Sequence, residues 1–210
     1  MPAPRKFTRE QLQAAALALV DEQGLAGLTM RSLATALGTG PMTIYNYVDG
    51  REGLEQLVTE AVMAQASWAA EPPGDWADEV LAVAGGMWRA VRAHPHAIPL
   101  ILTRRSLDVA TLAPAEALLQ ALARGGRSGA ELLVAFRAVS GFITGFAQAE
   151  LAGPLSAARG EDLSAITDRV ETLPPERFPK LIEIARAAAE SEPEAEFRAG
   201  LRIILAGLKA

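Results

Sequence analysis

The chain has 210 residues, half of them hydrophobic, no cysteine and a formal net charge of −5. Without Cys, disulfides and thiolate metal sites are excluded, which suits a reducing compartment. The length allows a small domain beside a larger core. The acidity argues against general adhesion to nucleic acid, but it is unevenly spread: residues 1–51 carry one more basic than acidic side chain and the remainder six more acidic ones. Attraction to phosphate is screened within about 8–10 Å, so a local basic excess is what matters. Ala and Leu dominate and no strand-length alternation of β-formers occurs, so the expected fold is all-α. Arg5 and Lys6 precede an amphipathic segment instead of an apolar run, so no signal peptide is expected. The uncharged run 138–149 is closed by Arg137 and Glu150 and is too short to span a bilayer. The expected location is cytoplasmic, with no membrane partner.

In chain order, residues 1–6 read as an arm. Thr8 is a good N-cap, Gln11 completes a capping box, and Phe7 can staple against Leu12. Leu12, Ala15, Ala16, Leu19 and Val20 make the buried face of this first helix, and Gly24 ends it. Thr29 caps a second helix with an apolar stripe of Leu33, Ala34 and Leu37. Gly38 supplies a left-handed C-terminus, and Pro41 suits the first position of a third helix. Ile44 and Val48 turn back toward that stripe, while Thr43, Asn46 and Tyr47 face out and Tyr45 lies between. This is the grammar of a helix-turn-helix. A fourth helix is expected from Asp49 or Gly50 to about Ala70, broken by residues 71–75. A fifth covers 76–93, with Gly85-Gly86 as a bend or close-packing point. His94-Pro95-His96 interrupts, and a short helix follows over 97–105. Further helices are expected over 114–124, 128–151, 176–191 and 194–209, with a loop over 152–163 and a break at 172–175.

Phe7-Thr8-Arg9, the Gly24-Leu25…Leu28-Thr29 link and the Pro-Met-Thr-Ile-Tyr-Asn-Tyr-Val segment from Pro41 to Val48 resemble the N-terminal domain of the TetR (tetracycline-repressor-like) family over about residues 7–58. The remainder is similar in helical layout and in Phe197-Arg-Ala-Gly-Leu201. Met42, Tyr47 and Val48 depart from the residues frequent in the family, and the smaller Val48 leaves a gap that Met30 or Met42 could fill. The resemblance implies a DNA-binding domain over 1–50 and a helical effector-binding and dimerisation domain over 51–210. It also implies a regulator, most simply a repressor, binding a palindromic operator on double-stranded DNA as a homodimer and released by a small apolar or amphipathic effector. No cofactor, metal or catalytic residue is expected. A helical protein-interaction module and a helical enzyme are the alternatives; no nucleophile motif or phosphate loop supports the latter.

The residues themselves supply the candidate contacts. Thr43 can meet a phosphate or a thymine methyl, and Asn46 matches an adenine edge. Tyr45 and Tyr47 suit phosphate, although Tyr45 could serve packing instead. Arg51 can clamp a phosphate, Thr29 can place a hydroxyl and free N–H groups against one, and Arg31 joins them by resemblance. The same resemblance implies a dimer interface from the last two long helices: Gly141, Phe142, Gly145, Phe146, Ala149, Phe197, Leu201, Ile204 and Leu208. It also implies a pocket whose candidate contacts are Trp68, Trp88, His94, His96, Leu102, Phe136, Thr144 and Gln148. Either stripe could equally be internal core.

Overall fold

The computed structural model describes residues 6–69, 74–103, 109–152 and 163–209. Eleven α-helices occur among these: α1 (Arg9–Gly27), α2 (Met30–Ala36), α3 (Pro41–Ile44), α4 (Gly50–Met63), α5 (Trp76–Ala93), α6 (Ile98–Thr103), α7 (Val109–Arg124), α8 (Gly129–Ala152), α9 (Leu163–Glu171), α10 (Pro179–Ala189) and α11 (Pro193–Lys209), with a 3-10 turn at Pro95–Ala97 before α6. The expected loop over 152–163 lies almost wholly outside the described residues.

Local chemistry sets the N-terminal helices. The Gln11 N–H donates to Thr8 Oγ1 at 3.3 Å and the Thr8 N–H to Gln11 Oε1 at 2.9 Å, a reciprocal capping box. At the same end, backbone hydrogen bonding and the Thr8 side chain hold the Glu10 carboxyl below the ordinary carboxylate range. Gly24 takes φ 68° and interrupts α1, which resumes for one more turn. α2 closes on Gly38 at φ 61°, where Gly38 N–H reaches the Thr35 carbonyl and Thr39 N–H the Ala34 carbonyl at 2.8 Å, the Schellman pattern.

Two cores result. The first gathers Leu12, Ala16 and Val20 of α1, Leu33 and Ala34 of α2, Ile44, Val48, and Leu54, Leu57, Val58 and Val62 of α4. The second joins α5, α7, α8 and α11 around Val80, Ala84, Trp88, Leu118, Leu122, Val139, Ile143, Phe197 and Leu201. α4 therefore belongs to the first core by packing, while its far end meets the second through Met63.

Several elements differ from the sequence reading, among them α4, α7 and α8. α4 stops at Met63, because residues 66–69 peel off to cross α5; a Cβ on Gly86 would stand 2.4 Å from the Ser67 carbonyl oxygen, so only glycine admits that crossing. α7 begins at Val109 and carries Pro114 within its first turns. The stretch Gly129–Leu151 of α8 is long and apolar enough to cross a bilayer, contrary to the shorter uncharged run, because Arg137 sits inside one continuous apolar helix. Its burial is one-sided: Ala135, Val139, Ile143 and Ala147 face the core.

Candidate nucleic-acid interface

The helix-turn-helix forms as its apolar stripes require. Leu33, Ala34, Ile44 and Val48 are buried together, and Ala34 leaves room for the two helices to cross. The rod itself is shorter than the sequence suggests. α3 proper is four residues, and the chain continues through residues 45–47 on bonds such as Asn46 N–H to the Thr43 carbonyl at 3.2 Å and Tyr47 N–H to the Ile44 carbonyl at 2.9 Å. These three-residue bonds tighten the coil and turn Tyr47 inward.

Tyr47 is thus a correction. It is half-buried against the first core, its hydroxyl accepts the Phe7 N–H at 3.0 Å, and its ring lies 6.2 Å from that of Phe7. It moors the N-terminal arm beside the rod. Tyr45, the more ambiguous residue in sequence, is 54% exposed. Asn46 is exposed, and Thr43 is half-buried with its hydroxyl 3.1 Å from that of Thr39. Met42, at 75% exposure, stands outermost, so it cannot fill space beneath Val48, whereas the half-buried Met30 packs against the first core. Sequence reasoning treated Met42 as filler, although an apolar side chain on a polar face is itself a signal.

Arg51 is the second correction. Its Nε donates to Glu55 at 2.6 Å, while its terminal nitrogens donate to the carbonyls of Leu28 at 2.6 Å and Leu25 at 2.9 Å. The guanidinium assigned to phosphate instead clasps α4 to the link after α1. Those carbonyls are left over where α1 ends, and cations bind them well. Thr29 caps α2 in a box with Ser32 (2.9 and 3.0 Å), so its hydroxyl already has a helical task. Arg31 is exposed and has no ion-pair partner among the described residues. Arg9 and Gln13 both donate to Glu60, which is 2% exposed, tying α1 to α4. Among the described residues, the cations left at this face are Arg31 and Lys6, whose ammonium lies 5.2 Å from the Phe7 ring centroid.

An exposed rod braced on a core from α1, α2 and α4 is the setting in which relatives can be compared. The model of "Bacterial regulatory proteins, tetR family" matches residues 12–58, and that of "Tetracyclin repressor-like, C-terminal domain" matches residues 69–210. The chain belongs to the TetR family. A transcriptional regulator of this family from Streptomyces coelicolor superposes with a TM-score of 0.77 at 31% identity, over 97% of this chain and 98% of that one. ActR from the same organism, in complex with actinorhodin, gives 0.78 at 27% identity, over 98% and 96%. An HTH-type transcriptional regulator of Saccharopolyspora erythraea is 31% identical over 144 residues, 69% of this chain and 61% of that one. The chain thus spans less than two thirds of that curated relative's length.

On the C-terminal side of this TetR-family chain, several expected pocket residues lie elsewhere. His94 Nδ1 lies 3.0 and 2.9 Å from the two carboxylate oxygens of Asp21 on α1, and its Nε2 is 3.0 Å from Gln65 Oε1. His96 Nδ1 is 3.0 Å from the Val20 carbonyl oxygen. Pro95 throws both imidazoles onto α1, so they form the joint between the two halves. Leu102 and Gln148 are exposed, and Thr144 donates its hydroxyl to the Ser140 carbonyl at 3.1 Å. Phe136 is half-buried against the second core. Trp68 lines an open recess of about 250 Å³ with Leu81, Gly85 and Phe197. Trp88 is 2% exposed and stacks on Phe197 at 4.8 Å. No cluster of three or more metal-ligating residues occurs among the described residues.

The expected interface also divides. Phe197 and Leu201 are fully buried inside the protomer, and Phe142 and Phe146 join Phe197 in one ring cluster at 5.3 and 5.6 Å. Phe142 rests on Gly200, where a Cβ would come within 2.7 Å of its ring. Ile204 and Leu208 pack partly against the same core. Only Gly141, Gly145 and Ala149 face outward, with open space at both glycines. Val134 (64% exposed) and Ile203 (76%) extend the outer faces of α8 and α11 and were missed by the sequence reading. Helical spacing reveals a stripe, but a helix apolar on two faces does not reveal which one stays inside.

Proposed function

We propose that this chain is a ligand-responsive transcriptional repressor that binds a palindromic operator as a homodimer in the cytoplasm. The observation that carries the reading is the rod from Met42 to Asn46, polar and exposed on one side and anchored by buried Ile44 on the other. In this reading residues 1–50 touch DNA, with Asn46 and Thr43 at base edges, Met42 against a thymine methyl, and Tyr45, Arg31, Thr29 and Lys6 along phosphates. Tyr47 and Arg51 act by holding the arm and α4 in place. Residues 51–210 sense the effector and pair the subunits through the outer faces of α8 and α11. Such a pair addresses half-sites about 34–36 Å apart. Resemblance to ActR, whose structure holds actinorhodin, supports an effector.

α4 is the lever in this reading. Arg51 and Glu60 bind its two ends to α1, Gln65 just beyond it meets His94, and Met63 reaches the second core. An effector that prefers another arrangement of that core moves α4 and with it the rod. Discrimination of about 1–3 kcal/mol between the two arrangements gives roughly 5–150-fold release. A mobility-shift titration with the DNA upstream of the chain's own gene tests the reading. It predicts a discrete complex that outlives excess random DNA; a smear equally removed by any duplex contradicts it.

A further inference from the structure

Every sulfur of this chain belongs to a methionine, because the sequence has five Met and no Cys. Among the described residues those sulfurs have unequal access. Met63 and Met87 are buried in the second core, and Met30 is half-buried against the first. Met42 alone among them is exposed. A thioether has no proton to lose before it reacts, so the access of an oxidant to sulfur sets the order of reaction.

Position gives that access a consequence. Met42, Tyr45 and Asn46 are exposed together, and their three- and four-residue spacing sets them side by side, opposite buried Ile44 and Val48. A helix-turn-helix presents this face to the major groove. There a thioether meets thymine methyls and sugar carbons, while phosphates and most base-edge atoms are hydrogen-bond acceptors.

We propose that Met42 is an oxidation site that controls operator binding: peroxide converts its thioether to the sulfoxide in the free protein, and the sulfoxide form releases the operator. The proposal rests on the DNA-binding reading above and adds a regulation to the same face. In the step, a sulfur lone pair attacks one peroxide oxygen and the O–O bond breaks. Sulfur gains that oxygen and gives up two electrons. The departing hydroxide takes the proton of the new sulfur-bound hydroxyl and leaves as water. An apolar, flexible side chain thereby becomes polar, with a strong acceptor oxygen. Set against a thymine methyl and among other acceptors, that oxygen loses its water without gaining a donor, which penalises the complex. Bound DNA covers Met42, so operator and oxidant compete for it.

The test treats the full chain with hydrogen peroxide and follows each methionine by peptide mass spectrometry. Affinity for a labelled duplex from the chain's own upstream region is measured before and after. Met42 is expected to gain its oxygen ahead of Met30, Met63 and Met87, and affinity to fall at least about tenfold in step with it. Saturating duplex present during treatment is expected to slow oxidation at Met42, and methionine sulfoxide reductases of both epimer specificities to restore binding afterwards. Met42→Leu keeps an apolar side chain of similar volume, so it binds and keeps its affinity through the treatment. Met42→Gln, polar from the start, binds weakly without any peroxide. Earlier oxidation of Met30, Met63 or Met87, a Met42 sulfoxide that binds as tightly as the thioether, or an equal loss in treated Met42→Leu would overturn the proposal. An untreated chain that does not prefer this duplex to a random one overturns the DNA-binding reading and the proposal with it. That failure is distinct, because it shows before any peroxide is added.

Discussion

The two cores are held together by different chemistry. In the N-terminal half buried acids hold cations: Glu60 ties Arg9 and Gln13 of α1 to α4, and Glu55 pairs within α4 with the Arg51 that also binds two α1-side carbonyls. In the C-terminal half a ring cluster of Trp88, Phe142, Phe146 and Phe197 dominates, and buried polar atoms beside it are left unmet. A reader must hold side chains to fractions of an ångström, which favours satisfied networks. A sensor must gain something by binding, which favours groups the protein alone does not satisfy.

Mutations can break or sharpen this contrast. Phe197→Ala removes the hub of the ring cluster and is expected to cost about 3–5 kcal/mol in thermal or denaturant unfolding. If it dissociates a dimer without lowering protomer stability, Phe197 belongs to the interface after all. Gly145→Arg places a charge on the outer face of α8, where space is open. It is expected to weaken self-association by several kcal/mol in sedimentation equilibrium, with little change in helix content. An unchanged dimer moves the interface elsewhere. Asn46→Ala is expected to cost about 1–3 kcal/mol on cognate DNA and little on random DNA; equal losses on both remove Asn46 from base reading. The smallest effect belongs to Arg51→Ala. Its guanidinium is half-exposed, so about 1 kcal/mol of stability is expected to go, with the salt slope of DNA binding unchanged. A slope flatter by about one restores the phosphate clamp.

What was legible in the sequence was local. Gly38, Pro41 and the Leu33–Ile44 stripes act within a few residues, so the turn and its buried face could be read directly. The Thr8–Gln11 box was readable for the same reason. What escaped depended on partners far along the chain. Tyr47 turns inward because Phe7 waits for it, and His94 leaves the expected pocket because Asp21 lies across on α1. α4 ends early because Gly86 accepts Ser67, a crossing no periodicity records. Phe142 and Gly141 are neighbours in sequence with opposite fates, since α8 is apolar on both faces and only packing chooses between them.

The central claim is that the exposed rod ahead of Val48 reads DNA. Fluorescence anisotropy with a labelled duplex from the chain's own upstream region, competed by unlabelled random duplex, tests it most directly. The account predicts saturable binding that resists at least about a thousandfold excess of random competitor. Displacement by equal amounts of cognate and random DNA would contradict it.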